Sequence, residues 1–276
     1  MKRRDFLRAG GVAATALALP TACFAGEEQK LMKIGIQLYT VRGPMGESVP
    51  DTLKGLADIG YDEVEFAGYY DHSPEDIRRM LDDTGLDTPS AHVSLDIMRN
   101  HADEAIAAAK VVGHDYLALG WLPPEERNTL DQYRQHAELC SRFGEKCRDA
   151  GIQFAWHNHE FEYEAIDGIL PMDLLLSETD PDIVKMEIDF YWIAYAGVDP
   201  QPYFDAHPGR FPLCHVKDMG ADRKMTDVGD GTIDFASLFA ASGGAGLTHF
   251  FAERDDSPDP MATAAASYAH MKELRF

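Results

Sequence analysis

The chain has 276 residues, 47 acidic against 25 basic side chains, and a formal net charge of −22. A field of that sign repels polyanions and argues against nucleic acid as a partner, because such binding draws its affinity from Lys and Arg neutralising phosphates. Cys23 aside, Cys140, Cys147 and Cys214 are odd in number and show no CxxC spacing, which argues against a disulfide framework and a structural zinc knuckle.

In chain order, the first element is a leader. Met1-Lys2-Arg3-Arg4-Asp5-Phe6-Leu7-Arg8 precedes an apolar, Ala-rich run from Ala9 to Pro20, and Glu27-Glu28 follows. This predicts a signal peptide over residues 1–25. The paired Arg3-Arg4 resembles the twin-arginine export consensus. The run falls short of the roughly 20 strongly apolar residues that a spanning helix needs, so no transmembrane span is expected. Ala25 suits ordinary cleavage, whereas Cys23 after Thr21-Ala22 partly resembles a lipoprotein box, with Pro20 where Leu is usual. Periplasmic export is the expectation, with a lipid anchor on Cys23 as the minor alternative. The twin-arginine route carries folded proteins, so a cofactor acquired before export fits it.

Residues 31–276 contain no linker, low-complexity tract or short repeat, and their length suits a single domain. Short β-rich runs alternate there with longer helical periods, which implies parallel strands joined by crossover helices. The predicted strands are 33–38, 63–66, 88–92, 116–119, 152–157, 183–189, 211–216 and 248–252. The predicted helices lie near 49–59, 74–84, 102–112, 129–150, 171–177, 200–206, 234–241 and 260–274. Several helices open on Pro or Asp, and Gly85 and Gly151 stand where helices stop. Eight units in strict alternation predict one closed (β/α)8 barrel. The dinucleotide-binding fingerprint is missing, because Gly243-Gly244-Ala245-Gly246 precedes a strand instead of following one.

Active sites of such barrels form at the C-terminal strand ends, and reactive residues gather there. The first strand runs into Gln37-Leu38-Tyr39, the second carries Glu65, the third ends at His92, and the fifth runs into His157-Asn158-His159-Glu160-Phe161-Glu162. The sixth carries Glu187-Ile188-Asp189, the seventh His215-Val216-Lys217-Asp218, and the eighth is followed by Glu253. A single polar residue at a strand end more often caps a helix than binds metal. Imidazoles and carboxylates ending four successive strands would instead converge near the barrel axis and repel or desolvate one another. A divalent metal ion resolves that conflict, and oxygen and nitrogen donors without thiolate suit Mn, Co, Zn or Mg.

The strand-end set, His215-Val216-Lys217-Asp218, the Val228-Gly229-Asp230-Gly231 loop and Phe251-Ala252-Glu253 together resemble the sugar phosphate isomerase/epimerase superfamily, the xylose-isomerase-like barrels. The resemblance runs from about Lys33 to the C-terminus. It implies that Asp189, His215 and Glu253 hold the metal. The fifth strand departs from the family's Glu-Asn-His, since His157-Asn158-His159 stands there; the fourth ligand is either His157 by position or Glu162 by chemistry. Catalytic candidates are His157, His159, Glu162, Lys217 and Glu253. Lys217 would hydrogen-bond a developing oxyanion or else form an ion pair with Asp218 or another carboxylate. Gln37, Tyr39, Glu65, His92 and Trp192 are candidates for substrate binding.

The resemblance implies an isomerase or epimerase that abstracts a proton beside a metal-bound carbonyl of a sugar or keto-sugar. A phosphorylated substrate is not expected, as no phosphate cradle is visible. A His at the fifth strand makes symmetrical two-face epimerisation less natural and favours the alternative, a 3-keto-glycoside lyase, hydratase or dehydratase. An endonuclease IV-like phosphodiesterase and a non-catalytic sugar-binding barrel are remoter rivals. The expected partner is a small-molecule sugar or keto-glycoside, and a homo-oligomer remains open.

Overall fold

Eight strands close into one parallel barrel: β1 (Gly35–Gln37), β2 (Glu63–Phe66), β3 (Asp87–Val93), β4 (Tyr116–Leu119), β5 (Gln153–His157), β6 (Val184–Asp189), β7 (Leu213–Val216) and β8 (His249–Ala252). Each pairs with its sequence neighbours, and β1 closes the ring on β8 with Gly35 opposite Phe251. The computed structural model describes residues 29–276; the leader expected over residues 1–25 lies outside them, as does Cys23. Among the described residues no helix is long and apolar enough to cross a membrane.

Local chemistry accounts for the crossover helices. Val49–Ile59 starts where the Ser48 side chain accepts from the Asp51 N–H, and ends at Gly60 with φ +120°. Pro74–Thr84 is capped by Ser73 and stopped by Gly85 at φ +73°. Leu130–Asp149 opens on a reciprocal capping box between Thr129 and Gln132. Each such cap is worth about 1 kcal/mol. The predicted helices at 49–59, 74–84 and 102–112 match the structure end to end.

Three short helices were not expected: Arg42–Glu47, Leu95–Asn100 and Phe190–Tyr195. At six residues each they are too brief to show a helical period. All three follow barrel strands, so they stand around the mouth where the site lies. A small antiparallel ribbon of Asp218–Met219 with Met225–Thr226 follows β7.

Inside the barrel, Ala118, Ala155, Leu213 and Phe251 form an apolar plug. A Cβ on Gly35 would stand 2.4 Å from the Phe251 ring, so the glycine makes room for that ring. Outside the barrel, a larger apolar layer including Phe66, Phe154, Trp156 and Ile188 packs between strands and helices. Cys140, Cys147 and Cys214 are buried free thiols within this architecture. Above the plug the inward positions turn polar, and that change sets the floor of the site.

Candidate metal centre

The period of two along each strand decides which side chains enter the barrel. On β6 it turns both Glu187 and Asp189 inward, and on β7 it places His215 above the Leu213 plug residue. All are fully buried. Two overlapping groups result, each with donor atoms within 4.8 Å of one another: Asp189, His215 and Glu253 in one, and His92, His157, Glu187 and His215 in the other.

His215 joins the two groups through opposite ring nitrogens. Its Nδ1 is 2.7 Å from Glu253 Oε2 and 3.9 Å from Asp189 Oδ2, and its Nε2 is 2.7 Å from Glu65 Oε2. Glu65 is itself held by Gln37 Nε2, which donates to Oε2 at 2.7 Å, and by Ser90 Oγ, which donates to Oε1 at 2.6 Å. His157 is turned in the same sense, with Nε2 3.9 Å from Asp189 Oδ2 and Nδ1 3.3 Å from Glu187 Oε2. His92 Nε2 lies 2.8 Å from Glu187 Oε2. Thus an inner tier of carboxylates, Glu65 and Glu187, faces one nitrogen of each imidazole. The other nitrogens of His157 and His215 face Asp189. Such outer carboxylates fix the tautomer of metal-binding histidines.

The residues fit a divalent cation. Asp189 uses Oδ1 to cap Phe190–Tyr195 through the Trp192 N–H at 3.0 Å, which leaves the buried Oδ2 to face Lys217 Nζ at 3.2 Å and one nitrogen each of His157 and His215 at 3.9 Å. Glu187 Oε1 is also buried, with His215 Nε2 3.5 Å away. Lys217 is the ammonium of the group, with Nζ 2.7 Å from Glu253, 3.2 Å from Asp189 and 3.2 Å from Asp255. One ammonium facing three carboxylates leaves negative charge uncompensated, the condition a metal ion relieves.

The titration behaviour follows the same imbalance. Burial pushes His157 down to about 3, helped by the neighbouring His215 charge, so its imidazole is neutral and free to act as a ligand. Burial and the nearby His157 and Lys217 hold His159 well below its ordinary value. Burial opposes charge on His215 too, yet Glu187, Glu253 and Glu65 raise it well above the usual range. Burial and the Glu253 charge push Asp255 up to about 7.

A cavity of about 700 Å³ opens onto this group. Of the predicted site residues, Tyr39, His92, His157, His159, Trp192, Lys217 and Glu253 line it. Gln37 and Glu65 do not; they lie beneath, fully buried, and support His215. Glu162 also stands apart: its Oε2 accepts from the His159 N–H at 2.7 Å and caps the turn Glu160–Tyr163. Of the two strand-five candidates, His157 is therefore the one that faces Asp189. Lys217 pairs with Glu253, Asp189 and Asp255 rather than Asp218. The Asp218 carboxylate instead accepts from the N–H groups of Gly229, Gly231 and Ile233 at 2.9, 3.1 and 3.2 Å. A Cβ on Gly231 would lie 2.1 Å from Asp218 Oδ1, so the Val228-Gly229-Asp230-Gly231 loop is shaped around that carboxylate. Asn158, centre of the His-Asn-His run, accepts from the Asp189 N–H at 3.0 Å and ties β5 to β6.

Sequence reasoning gave no site role to Glu187 or Asp255, though both stand at strand ends, and passed over Arg127 and Trp121; the last three line the cavity. The signal for Glu187 was present, since it lies two residues from Asp189 and must share its face. Arg127 and Trp121 sit in the loop after β4, where no period marks direction.

Comparison with known proteins agrees with this architecture. An inosose dehydratase of Lacticaseibacillus casei is 26% identical over 261 residues, covering 76% of this chain and 85% of that protein. The crystal structure of a sugar phosphate isomerase/epimerase from Parabacteroides distasonis superposes with a TM-score of 0.75 at 24% identity, over 91% of this chain and 97% of that one. A structure of the IolI protein with a bound zinc atom superposes with a TM-score of 0.71 at 13% identity, over 89% and 99% of the two chains. Residues 53–274 match the family model described as the xylose isomerase-like TIM barrel, and the chain belongs to that family.

Proposed function

We propose that this protein is a metal-dependent dehydratase of a polyhydroxylated ketone, with Asp189, His215, Glu253 and His157 as ligands. The observation that carries this reading is the end of β5. Two-face proton exchange calls for carboxylates on opposing strands, whereas the β5 side offers the imidazoles of His157 and His159 and keeps Glu162 in a capping contact. The inosose dehydratases among the relatives support the same class of reaction.

A divalent ion bound there would supply Lewis-acid polarisation of the substrate's oxygens. His159 stands on the cavity wall, and its Nδ1 has no hydrogen-bond partner among the described residues. As general base it takes the proton from the carbon beside the carbonyl. The C–H electron pair becomes the new C=C bond as the C–O bond to the neighbouring hydroxyl breaks. The His159 imidazolium returns its proton to that hydroxyl, which leaves as water, so the net change is loss of one water. Lys217, pinned by three carboxylates, keeps its ammonium at the cavity and donates to oxygen that gains negative charge.

The test is incubation of protein loaded with Mn, Co, Zn or Mg with an inosose and with free ketoses in deuterated water, followed by mass spectrometry. Loss of one water is the expected result. Epimer formation or solvent deuterium uptake without water loss would restore the isomerase/epimerase reading. That second reading draws on Glu253, the carboxylate that follows β8 on the cavity wall. We also infer periplasmic export from Arg3-Arg4 and the apolar run after them; retention in the cytoplasm on cell fractionation would refute it.

A further inference from the structure

One wall of the cavity takes no part in the metal group. It begins at Arg127, whose Cζ lies 3.5 Å from the centroid of the Phe161 ring. Phe161 stacks with His159 at 5.2 Å, and His159 meets Trp192 at 5.4 Å. Trp121, 50% exposed, lies 5.9 Å from the Arg127 guanidinium.

Arg127 is unlike the other arginines. Alone among those in the described residues it has neither an ion pair nor a side-chain hydrogen bond, and its Nη1 is buried without an acceptor. Trp192 Nε1, on the same wall, is buried and unpartnered as well. Glu160 lines the cavity but does not pair with Arg127. In a chain with 47 acidic residues, a guanidinium on a cavity wall with no carboxylate in ion-pair contact is a place prepared for an acceptor brought from outside. Neutral sugars offer such a wall only weak hydroxyl acceptors. A carboxylate matches the guanidinium fork with two parallel charge-assisted hydrogen bonds.

We propose that this wall is a carboxylate subsite, and that the substrate is an acidic polyhydroxylated ketone of the uronate class. Its keto end lies at the metal group and its carboxylate lies on Arg127 beside Trp192. The inference rests on the metal-dependent reading for the position of the keto end, but the subsite itself is tested without turnover. Calorimetric titration with D-glucuronate and D-glucose is run on metal-loaded and on EDTA-treated protein, with Arg127→Gln and Arg127→Lys alongside.

The expected result is glucuronate binding at least tenfold tighter than glucose, before and after EDTA. Arg127→Gln should bring glucuronate to the level of glucose, Arg127→Lys should keep part of the preference, and both should retain the wild-type metal content. Equal binding of the two sugars, no binding of either, or a preference that survives Arg127→Gln overturns the proposal. Stoichiometric metal without the preference removes the subsite alone. An Arg127-dependent preference in a protein that takes up no metal removes the metal reading alone.

Discussion

Glu63 and Glu65 stand two residues apart on β2, both fully buried and both against a histidine, yet they belong to opposite worlds. At the floor, Glu63 lies 2.9 Å from His249 and 3.0 Å from Lys33, and Lys33 is also bonded to Asp87. That cluster closes on itself, each charge answered by a neighbour. At the mouth, Glu65 meets His215 within a group that also holds Glu187, Asp189, Glu253 and Asp255. There five carboxylates gather around a single ammonium, that of Lys217, which reaches Asp189, Glu253 and Asp255. A cluster whose charges answer one another is architecture, whereas a buried one with surplus carboxylate asks for a further cation. The same residue pair, Glu with His, thus carries opposite meanings according to whether the local charge closes.

The largest effect expected from this contrast is at Asp189. Asp189→Asn keeps the helix-capping oxygen but removes a charged donor, so metal affinity should fall by more than the roughly 10–100-fold typical of losing an outer partner. Stoichiometric metal in the variant, measured by elemental analysis after dialysis, would break the distinction between mouth and floor. Wild type should melt higher with metal: at about 100 times Kd the gain is about 2.7 kcal/mol, and Asp189→Asn should lose that shift.

A buried histidine with only neutral partners sharpens the comparison from another side. His114 lies 2.9 Å from Thr88 O and 3.0 Å from the Tyr69 hydroxyl, and burial pushes it down to about 4. Between about pH 6.5 and 4 the unfolded chain therefore binds more protons at this site than the folded one. Stability present above pH 6.5 is lost as pH falls towards 4, by roughly 3 kcal/mol in total. Denaturant melts of wild type and His114→Gln across that range should show a shallower acid limb in the variant; parallel limbs would refute the assignment. Glu187→Gln comes next, with metal affinity reduced about 10–100-fold and the fold intact by circular dichroism. An unchanged affinity would mean that the inner tier does not orient His157.

Much of this was legible in the chain. Every barrel strand was predicted in place, because parallel strands read as short apolar runs punctuated by Gly and Pro, and β2 and β4 match to the residue, whereas the ribbon after β7 was not foreseen. Asp189, His215, Glu253 and His157 were legible as strand-end residues on inward faces. Glu162 misled because its residue type suited a ligand, while its direction depended on a 3₁₀ turn that no period announces. Asp218 misled similarly, since adjacency to Lys217 suggests pairing although consecutive residues along an extended chain point to opposite sides. The closure of charge at Glu63 and its failure at Glu65 needed the partners from β3, β6, β7 and β8, which lie 24 to 190 residues away and which strand pattern does not pair.

The smallest effect lies at the floor, and there the comparison is most exposed. Lys33 is half exposed, so its contact with Asp87 contributes little on its own. Its second contact matters more, because Lys33→Ala removes the ammonium 3.0 Å from the buried Glu63 Oε1 and leaves that carboxylate without its nearby cation, at a cost of about 1–3 kcal/mol. The apolar plug of Ala118, Ala155, Leu213 and Phe251 separates this loss from the metal group. Lys33→Ala should therefore lower the denaturation midpoint while leaving metal stoichiometry and affinity at wild-type values. A variant that lost metal affinity in step with stability would show that the two clusters are coupled through the plug, and that floor and mouth form one electrostatic unit.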